Sequence, residues 1–333
     1  MSFSSQILLA LNNRKSLIVR LHDENTNCYR LFHGAVEGVP GLTIDRYGGF
    51  ILIQTWRDPL ALDNVRQIET LINNFLSDSL TAVWNHRTSR GKVDFDLFPV
   101  EIPDFAMGKE NGLLYDVRPR HLGIDPLLFL DFRSARRWVL ENAKNKSVLN
   151  LFSYTCGIGV SAGCGQAKEV LNVDFAKRSL SIGRSNAQMN GLSKSTFKTL
   201  QQDFFPVVRQ LSGLGIRGRA KRRSFVTLPE QKFDLVVLDP PRYAKSPFGL
   251  VDTVSDYQSL FKPSWLCVAP AGQMIATNNV ASVSWEEWSA LLQRCAMKAN
   301  RPIADIERLH PEADFPSPDG KWPLKIALCS MAG

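Results

Sequence analysis

From Ser147 onward, nearly continuous apolar runs alternate with longer segments that read as helices. The runs are "SVLNLF" (147–152), "EVLNVD" (169–174), "FKTL" (197–200), "FDLVVLD" (233–239) and "QMIATN" (273–278). Strands that are buried on both faces look like this. Between them lie "GIGVSAGCGQ", "AKRSLSIGRSNAQMN", "FFPVVRQL" and "TVSDYQSLFKPSWLCV", and a further helix opens at Ser284, where Ser284 and Glu287 have capping-box spacing. This alternation predicts an α/β domain built on a Rossmann-like parallel sheet covered on both faces. The tail "DGKWPLKIALCSM" reads as a last strand after a turn.

The first third of the chain has a different grammar. A leading amphipathic helix, "SQILLALNNRKSLIVRL", precedes "GLTIDRYGGFILIQTW", two β-rich runs split at Tyr47-Gly48-Gly49 in a hairpin signal. A helical run, "NVRQIETLINNFL", and the strands "TAVWNHR" and "GLLYDV" follow. We read residues 1–118 as a small α+β domain for substrate recognition and 119–333 as the larger α/β domain.

A length of 333 residues with 44% hydrophobic and 22% charged content suits about two soluble domains. Forty basic against 32 acidic residues give a net charge of +8, which favours a polyanionic partner. No apolar stretch approaches the ~20 residues of a membrane span, and the N-terminus lacks the basic start of a secretory signal, so a cytosolic location is expected. The six cysteines form no CxxC pair and five histidines give no ligand spacing, so no metal is expected. The segment "RGRAKRR" gathers Arg217, Arg219, Lys221, Arg222 and Arg223 in one loop. It reads either as a phosphate-binding patch or as a solvated charge run.

The chemistry gathers at the ends of the predicted strands. "VLNLFSYTCGIGV" is strand, small polar turn, glycine and helix, the first βα junction of an open sheet, where nucleotides bind and Gly157 lets backbone approach a ligand. With only Gly157 and Gly159, it suits a cofactor without a pyrophosphate. Asp174 ends the next strand, where a carboxylate accepts from a ribose diol. Asp203 follows the third, placed to meet an adenine amino group. Either acid alone is more often a helix N-cap, but three junctions in register favour a nucleoside site. The fourth strand delivers Asp239-Pro240-Pro241-Arg242-Tyr243. Its prolines hold the chain rigid and offer carbonyls without donors, while Tyr243 is placed to stack on a base. The alternative is a strand-ending loop with a core tyrosine.

"VLNLFSYTCGIGV…EVLNVDFAKRSL…FDLVVLDPPRYAKS" resembles the class I S-adenosylmethionine-dependent methyltransferases that modify bases of large-subunit ribosomal RNA. "YRLFHGAVEGVPGLTIDRYGGFILIQ" resembles the small domain of that family and "LFLDFRSARRWV" its "FLDQR" segment, with Phe132 in place of the glutamine. The resemblance implies S-adenosyl-L-methionine as cofactor and ribosomal RNA as partner. It implies methionine-moiety contacts from Phe152, Ser153, Tyr154, Thr155 and Gly157, ribose binding by Asp174, adenine contact by Asp203, and Asp131 and Arg133 at the cofactor's edge. Asp239, Pro240, Pro241 and Tyr243 would position the methyl transfer.

Two departures from the family pattern sharpen this expectation. Many relatives begin with an RNA-binding domain of roughly 70 residues. This chain starts at the small domain, so the basic loop is the expected source of RNA affinity. Relatives that methylate carbon 5 of a pyrimidine carry a nucleophilic cysteine after the fifth strand. Here that place reads "IATNNVASVS", and Asn278 and Asn279 match relatives that methylate a ring nitrogen of guanine. The expectation is methylation of a base nitrogen in RNA by direct displacement. Open alternatives are a cytosine carbon-5 enzyme, a methyltransferase of a non-RNA substrate, and a non-catalytic RNA-binding or ribosome-assembly factor. The sequence leaves monomer and homodimer open.

Overall fold

The computed structural model describes residues 3–88, 92–95, 97–216 and 218–332, with only the backbone at Arg219. The chain forms two compact units, residues 1–133 with 311–320, and residues 134–310 with 321–333. The first unit thus extends past residue 118 and takes back a later segment. Neither extension has an apolar period to announce it. Both are tied by polar contacts: Asn85 Nδ2 donates to the Pro119 carbonyl (2.9 Å) and Tyr47 Oη to that of Leu128 (2.8 Å). Asp314, fully buried, accepts from the Arg30 amide (2.9 Å) and Arg133 Nη2 (2.6 Å).

The smaller unit opens with α1 (Phe3–Asn13) and α2 (Lys15–Asp23), where one helix was expected. The break falls at Arg14, whose buried guanidinium binds the Ala10 carbonyl (3.0 Å) and Glu37 (2.5 Å). A five-stranded sheet follows in the order β1 (Cys28–His33), β2 (Leu42–Tyr47), β3 (Phe50–Thr55), β4 (Thr81–Arg87) and β5 (Val93–Asp94). The β2–β3 turn is the predicted hairpin, with Tyr47 opposite Phe50. At Gly48, φ is +60°, and a Cβ there would meet the Met107 carbonyl at 2.3 Å, so only glycine fits. The connection α3 (Leu62–Leu76) makes β3 and β4 parallel and buries Val65, Ile68 and Ile72 with Ile7 and Leu11 of α1. The antiparallel pair β6 (Met107–Glu110) and β7 (Leu113–Asp116) closes this part of the chain.

In the larger unit α4 (Arg133–Asn142) leads into β8 (Ser147–Leu151), α5 (Gly157–Cys164), β9 (Glu169–Asp174), α6 (Lys177–Met189), β10 (Phe197–Gln201), α7 (Phe204–Leu211) and β11 (Phe233–Leu238). A short hairpin, β12 (Tyr243–Lys245) and β13 (Leu250–Asp252), precedes α8 (Tyr257–Trp265), β14 (Val268–Asn278), α9 (Trp285–Lys298), β15 (Ile303–Leu309) and β16 (Lys325–Met331). The sheet order is β10-β9-β8-β11-β14-β16-β15, with β16 antiparallel to both of its neighbours. All five apolar runs are strands of this sheet. Ser284 caps α9 in a complete capping box, as its spacing predicts.

Strand order reverses between β8 and β11, which pair in parallel. Such a switch point opens a crevice at the carboxyl ends of the strands. Packing beneath it is close. Asn150 Nδ2 donates to Asn172 Oδ1 (2.9 Å) across β8 and β9, and Asn172 Nδ2 to the Lys198 carbonyl (3.1 Å). A Cβ on Gly159 would fall 2.0 Å from that Asn172 oxygen, so glycine lets α5 lie directly on β9.

Candidate active site

The turn after β8 is held in an unusual conformation. Phe152, Tyr154 and Cys156 all have positive φ, at 57°, 48° and 61°, a region that non-glycine residues seldom occupy. Hydrogen bonds over-determine it. Ser153 N donates to the Val173 carbonyl (3.0 Å), Cys156 N to that of Ser153 (2.7 Å), and Asn186 Nδ2 to that of Thr155 (3.1 Å). Ser153 and Thr155 are buried, so their part is to build the turn. Gly157 then opens α5.

Asp174 joins this turn to β9. Its Oδ2 accepts from Tyr154 N (2.9 Å) and its Oδ1 from Ala176 N (2.8 Å). Burial raises its pKa despite these bonds, so the site favours donors close to the carboxylate. Next to it Phe175 is 65% exposed, an aromatic face that the sequence reading missed. Its signal was the aromatic directly after the acid in "NVDFA". One strand further, Asp203 Oδ1 accepts from Phe205 N (2.9 Å) and caps α7, the N-cap role open to it from sequence. Phe204 stacks on Phe152 at 4.7 Å, tying that cap to the β8 turn.

Asp239 follows β11, the neighbour of β8, and Thr277 Oγ1 donates to its Oδ1 at 2.5 Å. Pro240 is buried, Pro241 exposed, and Tyr243 53% exposed, which excludes a core tyrosine. The hairpin carrying Tyr243 is braced from β14. Thr253 donates to the Arg242 carbonyl through N (3.2 Å) and Oγ1 (3.1 Å), and Asn278 Nδ2 donates to the Thr253 carbonyl (3.1 Å). Asn278 also accepts from Val280 N (2.9 Å) and is 1% exposed. Its expected role at the substrate is therefore corrected: its amide is spent on bracing the hairpin. Asn279 is exposed at the same edge.

Arg133 also needs correcting. It is 1% exposed, pairs with Glu312 (3.1 Å) and Asp314 (2.6 Å), and donates to the Cys28 carbonyl (3.1 Å). These contacts make it an anchor of the returning 311–320 segment within the smaller unit, not a cofactor ligand. Asp131, in the same unit, adds to the field of Asp45 around Arg30.

Burial works against four of the thiols as nucleophiles. Burial pushes Cys156 and Cys267 each up to about 12, and Cys329 and Cys295 are also raised by burial. In the basic loop, Lys221, Arg222 and Arg223 are exposed on and beside a short 3-10 turn (Gly218–Arg222). Arg217 and the Arg219 side chain lie outside the described residues. Phe225, just beyond, packs edge-on against Phe248 of the β12–β13 hairpin (6.4 Å). The basic turn thus adjoins the hairpin that carries Tyr243.

Residues 29–330 match the profile of the S-adenosylmethionine-dependent methyltransferase family. The chain belongs to that family. This methyltransferase is 29% identical to "Ribosomal RNA large subunit methyltransferase I" of Aeromonas hydrophila over 324 residues, 94% of this chain and 76% of the relative. Against the protein of the same name from Erwinia tasmaniensis it is 27% identical over 320 residues, 92% and 76% of the two chains. Among solved structures it superposes on SMU.776 complexed with SAH with a TM-score of 0.80 at 23% identity, covering 98% of this chain and 80% of that one. The SAM-dependent methyltransferase from Agrobacterium tumefaciens gives 0.62 at 17% identity, covering 88% and 87%.

The methyltransferase's residues fit S-adenosylmethionine. Asp174 supplies an acceptor-only group suited to a ribose diol, and Phe175 a face for adenine. Within the turn over 152–157, Phe152, Tyr154 and Gly157 are the half-buried positions, and Gly157 is the one without a side chain. When bound, the cofactor supplies a methyl group made electrophilic by its sulfonium.

Proposed function

We propose that this methyltransferase acts on a nitrogen of a nucleobase in ribosomal RNA, in the cytoplasm. The observation that carries this reading is the carboxyl edge at β11 and β14. There Asp239 is fixed by Thr277, Tyr243 is exposed to stack on a base, and Asn279 stands where a carbon-5 enzyme needs a thiolate. A pyrimidine carbon must be activated by a nucleophile before it accepts a methyl. A ring or exocyclic nitrogen already has the lone pair, and needs only orientation and acceptors for its N–H. Asp239 and the Pro240 and Pro241 carbonyls supply acceptors without donors. The RNA assignment is supported by relatives named as ribosomal RNA methyltransferases, by the net charge of +8, and by Lys221, Arg222 and Arg223 beside the Tyr243 hairpin. Among the described residues no helix is long and apolar enough to cross a membrane. Nucleoside mass spectrometry of ribosomal RNA from cells with and without the gene tests the assignment. Loss of one N-methylated base in the deletion is expected, and an unchanged nucleoside profile would remove ribosomal RNA as the substrate.

A further inference from the structure

The hairpin that carries Tyr243 has an outer face, and the register of its strands decides what lies on it. Tyr243 pairs with Asp252, Ala244 with Val251 and Lys245 with Leu250. Side chains alternate across a pleated pair, so Tyr243, Lys245 and Leu250 share one face. All three are exposed, while Val251 on the opposite face is buried in the core. Lys245 Nζ lies 5.9 Å from the centre of the Tyr243 ring, which is still more than half exposed. Asp252, the acid across from Tyr243, accepts from the amides of Val254 (3.0 Å) and Ser255 (2.9 Å).

The tip of the hairpin leads on to the basic turn. Phe248 at the tip meets Phe225 edge-on at 6.4 Å, and Phe225 lies two residues after Arg223. Both segments rest on α7. A Cβ on Gly249 would fall 2.6 Å from the Phe205 ring, so the tip lies directly on that helix. Gln210 of α7 donates through Nε2 to the Val226 carbonyl (3.0 Å) and accepts through Oε1 from Leu228 N (3.1 Å), which pins the chain as it leaves the basic turn. Outward from Asp239 the order is therefore Tyr243, Lys245, the Phe248–Phe225 contact, and then Arg223, Arg222 and Lys221. We propose that this line is a track for the single-stranded RNA that flanks the target nucleotide. Lys245 takes the phosphate beside the base on Tyr243, Phe225 and Phe248 are positioning residues that hold the basic turn in line, and its cations take phosphates further out. Lys245 stands two residues, about 7 Å, along the strand from Tyr243, so neighbouring side chains meet the base and its phosphate. A single strand suits such a surface, because cations follow its backbone while an aromatic face takes an unpaired base. This inference rests on RNA being the substrate.

Binding of large-subunit ribosomal RNA to the full chain, measured over a range of salt concentrations, tests it. Lys245→Met removes the charge at an exposed position, and is expected to flatten the slope of log affinity against log salt by ~0.7, the share of one phosphate of a single strand. Neutralising Lys221, Arg222 and Arg223 together is expected to weaken binding, and to do so at least about 2-fold less in a Phe225→Ala background, where the turn is no longer held in line. If Phe225→Ala fails to fold, Lys245→Met decides. RNA binding whose salt slope is unchanged in Lys245→Met would overturn the track and leave the RNA reading standing, and equal losses in the two backgrounds would remove Phe225 from it. A wild-type protein that binds no RNA would overturn both.

Discussion

Asp174 holds the turn with its carboxylate, and on the proposed reading the same carboxylate meets the cofactor's ribose. Its oxygens accept from the amides of Tyr154 and Ala176, with the Phe175 amide also bonded to the carboxylate, and a carboxylate has about four acceptor sites, so capacity for a hydroxyl donor remains. Asp174→Ala should weaken S-adenosylmethionine binding by ~1–3 kcal/mol, read by calorimetry, and an unchanged affinity in a folded variant would remove it from the site. Asp239 acts later. Its substitution by alanine should raise the barrier by ~2–4 kcal/mol with cofactor affinity intact, the scale of one lost preorganised contact. Single-turnover rates with saturating cofactor separate the two effects. The places of Asp174, Asp239 and Tyr243 at the carboxyl edge of the sheet were legible because each follows or ends an apolar run. Asn278 and Arg133 misled, because sequence position says nothing of whether a polar side chain is already spent inside the fold.

Elements were read best where hydrophobicity alone determines them. The five buried strands emerged as unbroken apolar runs, and α9 was announced by its capping box. The strand β15 escaped because "IADIERL" is half exposed along an edge and lacks both a run and a clean alternation. The loop after β14 escaped too, since its clamp comes from the far end of the chain. Lys325, opposite Asn278 on β16, is 2% exposed and donates to the carbonyls of Val280 (2.9 Å) and Pro323 (2.8 Å). Burial, with Arg308 adding to it, lowers its pKa to about 8. The folded protein thus releases this proton before the unfolded chain does. Its contribution to stability is complete above the unfolded lysine value of ~10.4 and is lost as pH falls through the folded value. The melting temperature of the wild type should therefore climb relative to Lys325→Met as pH rises across that window. A constant difference would show that the lysine titrates normally.

At the scale of the whole molecule, the pattern gave the order of a small α+β unit before an α/β unit. It could not give the return of residues 311–320 to the first, because that return depends on buried ion pairs between residues far apart in sequence. Charge is likewise a property of the whole chain. Neutralising Arg217, Arg219, Lys221, Arg222 and Arg223 together should flatten the slope of log affinity for RNA against log salt by up to ~3.5–4.5, the bound if each meets a phosphate. An unchanged slope would return the segment to a solvated loop. The most direct test of the central claim is the position of the transferred methyl. Purified protein, S-adenosylmethionine with an isotopically labelled methyl, and large-subunit ribosomal RNA are combined, and the product nucleosides are resolved by mass spectrometry. The account predicts the label on a base nitrogen, undiminished by Cys156→Ser or Cys267→Ser. Label on carbon 5 of a pyrimidine, or none in the RNA, would contradict it.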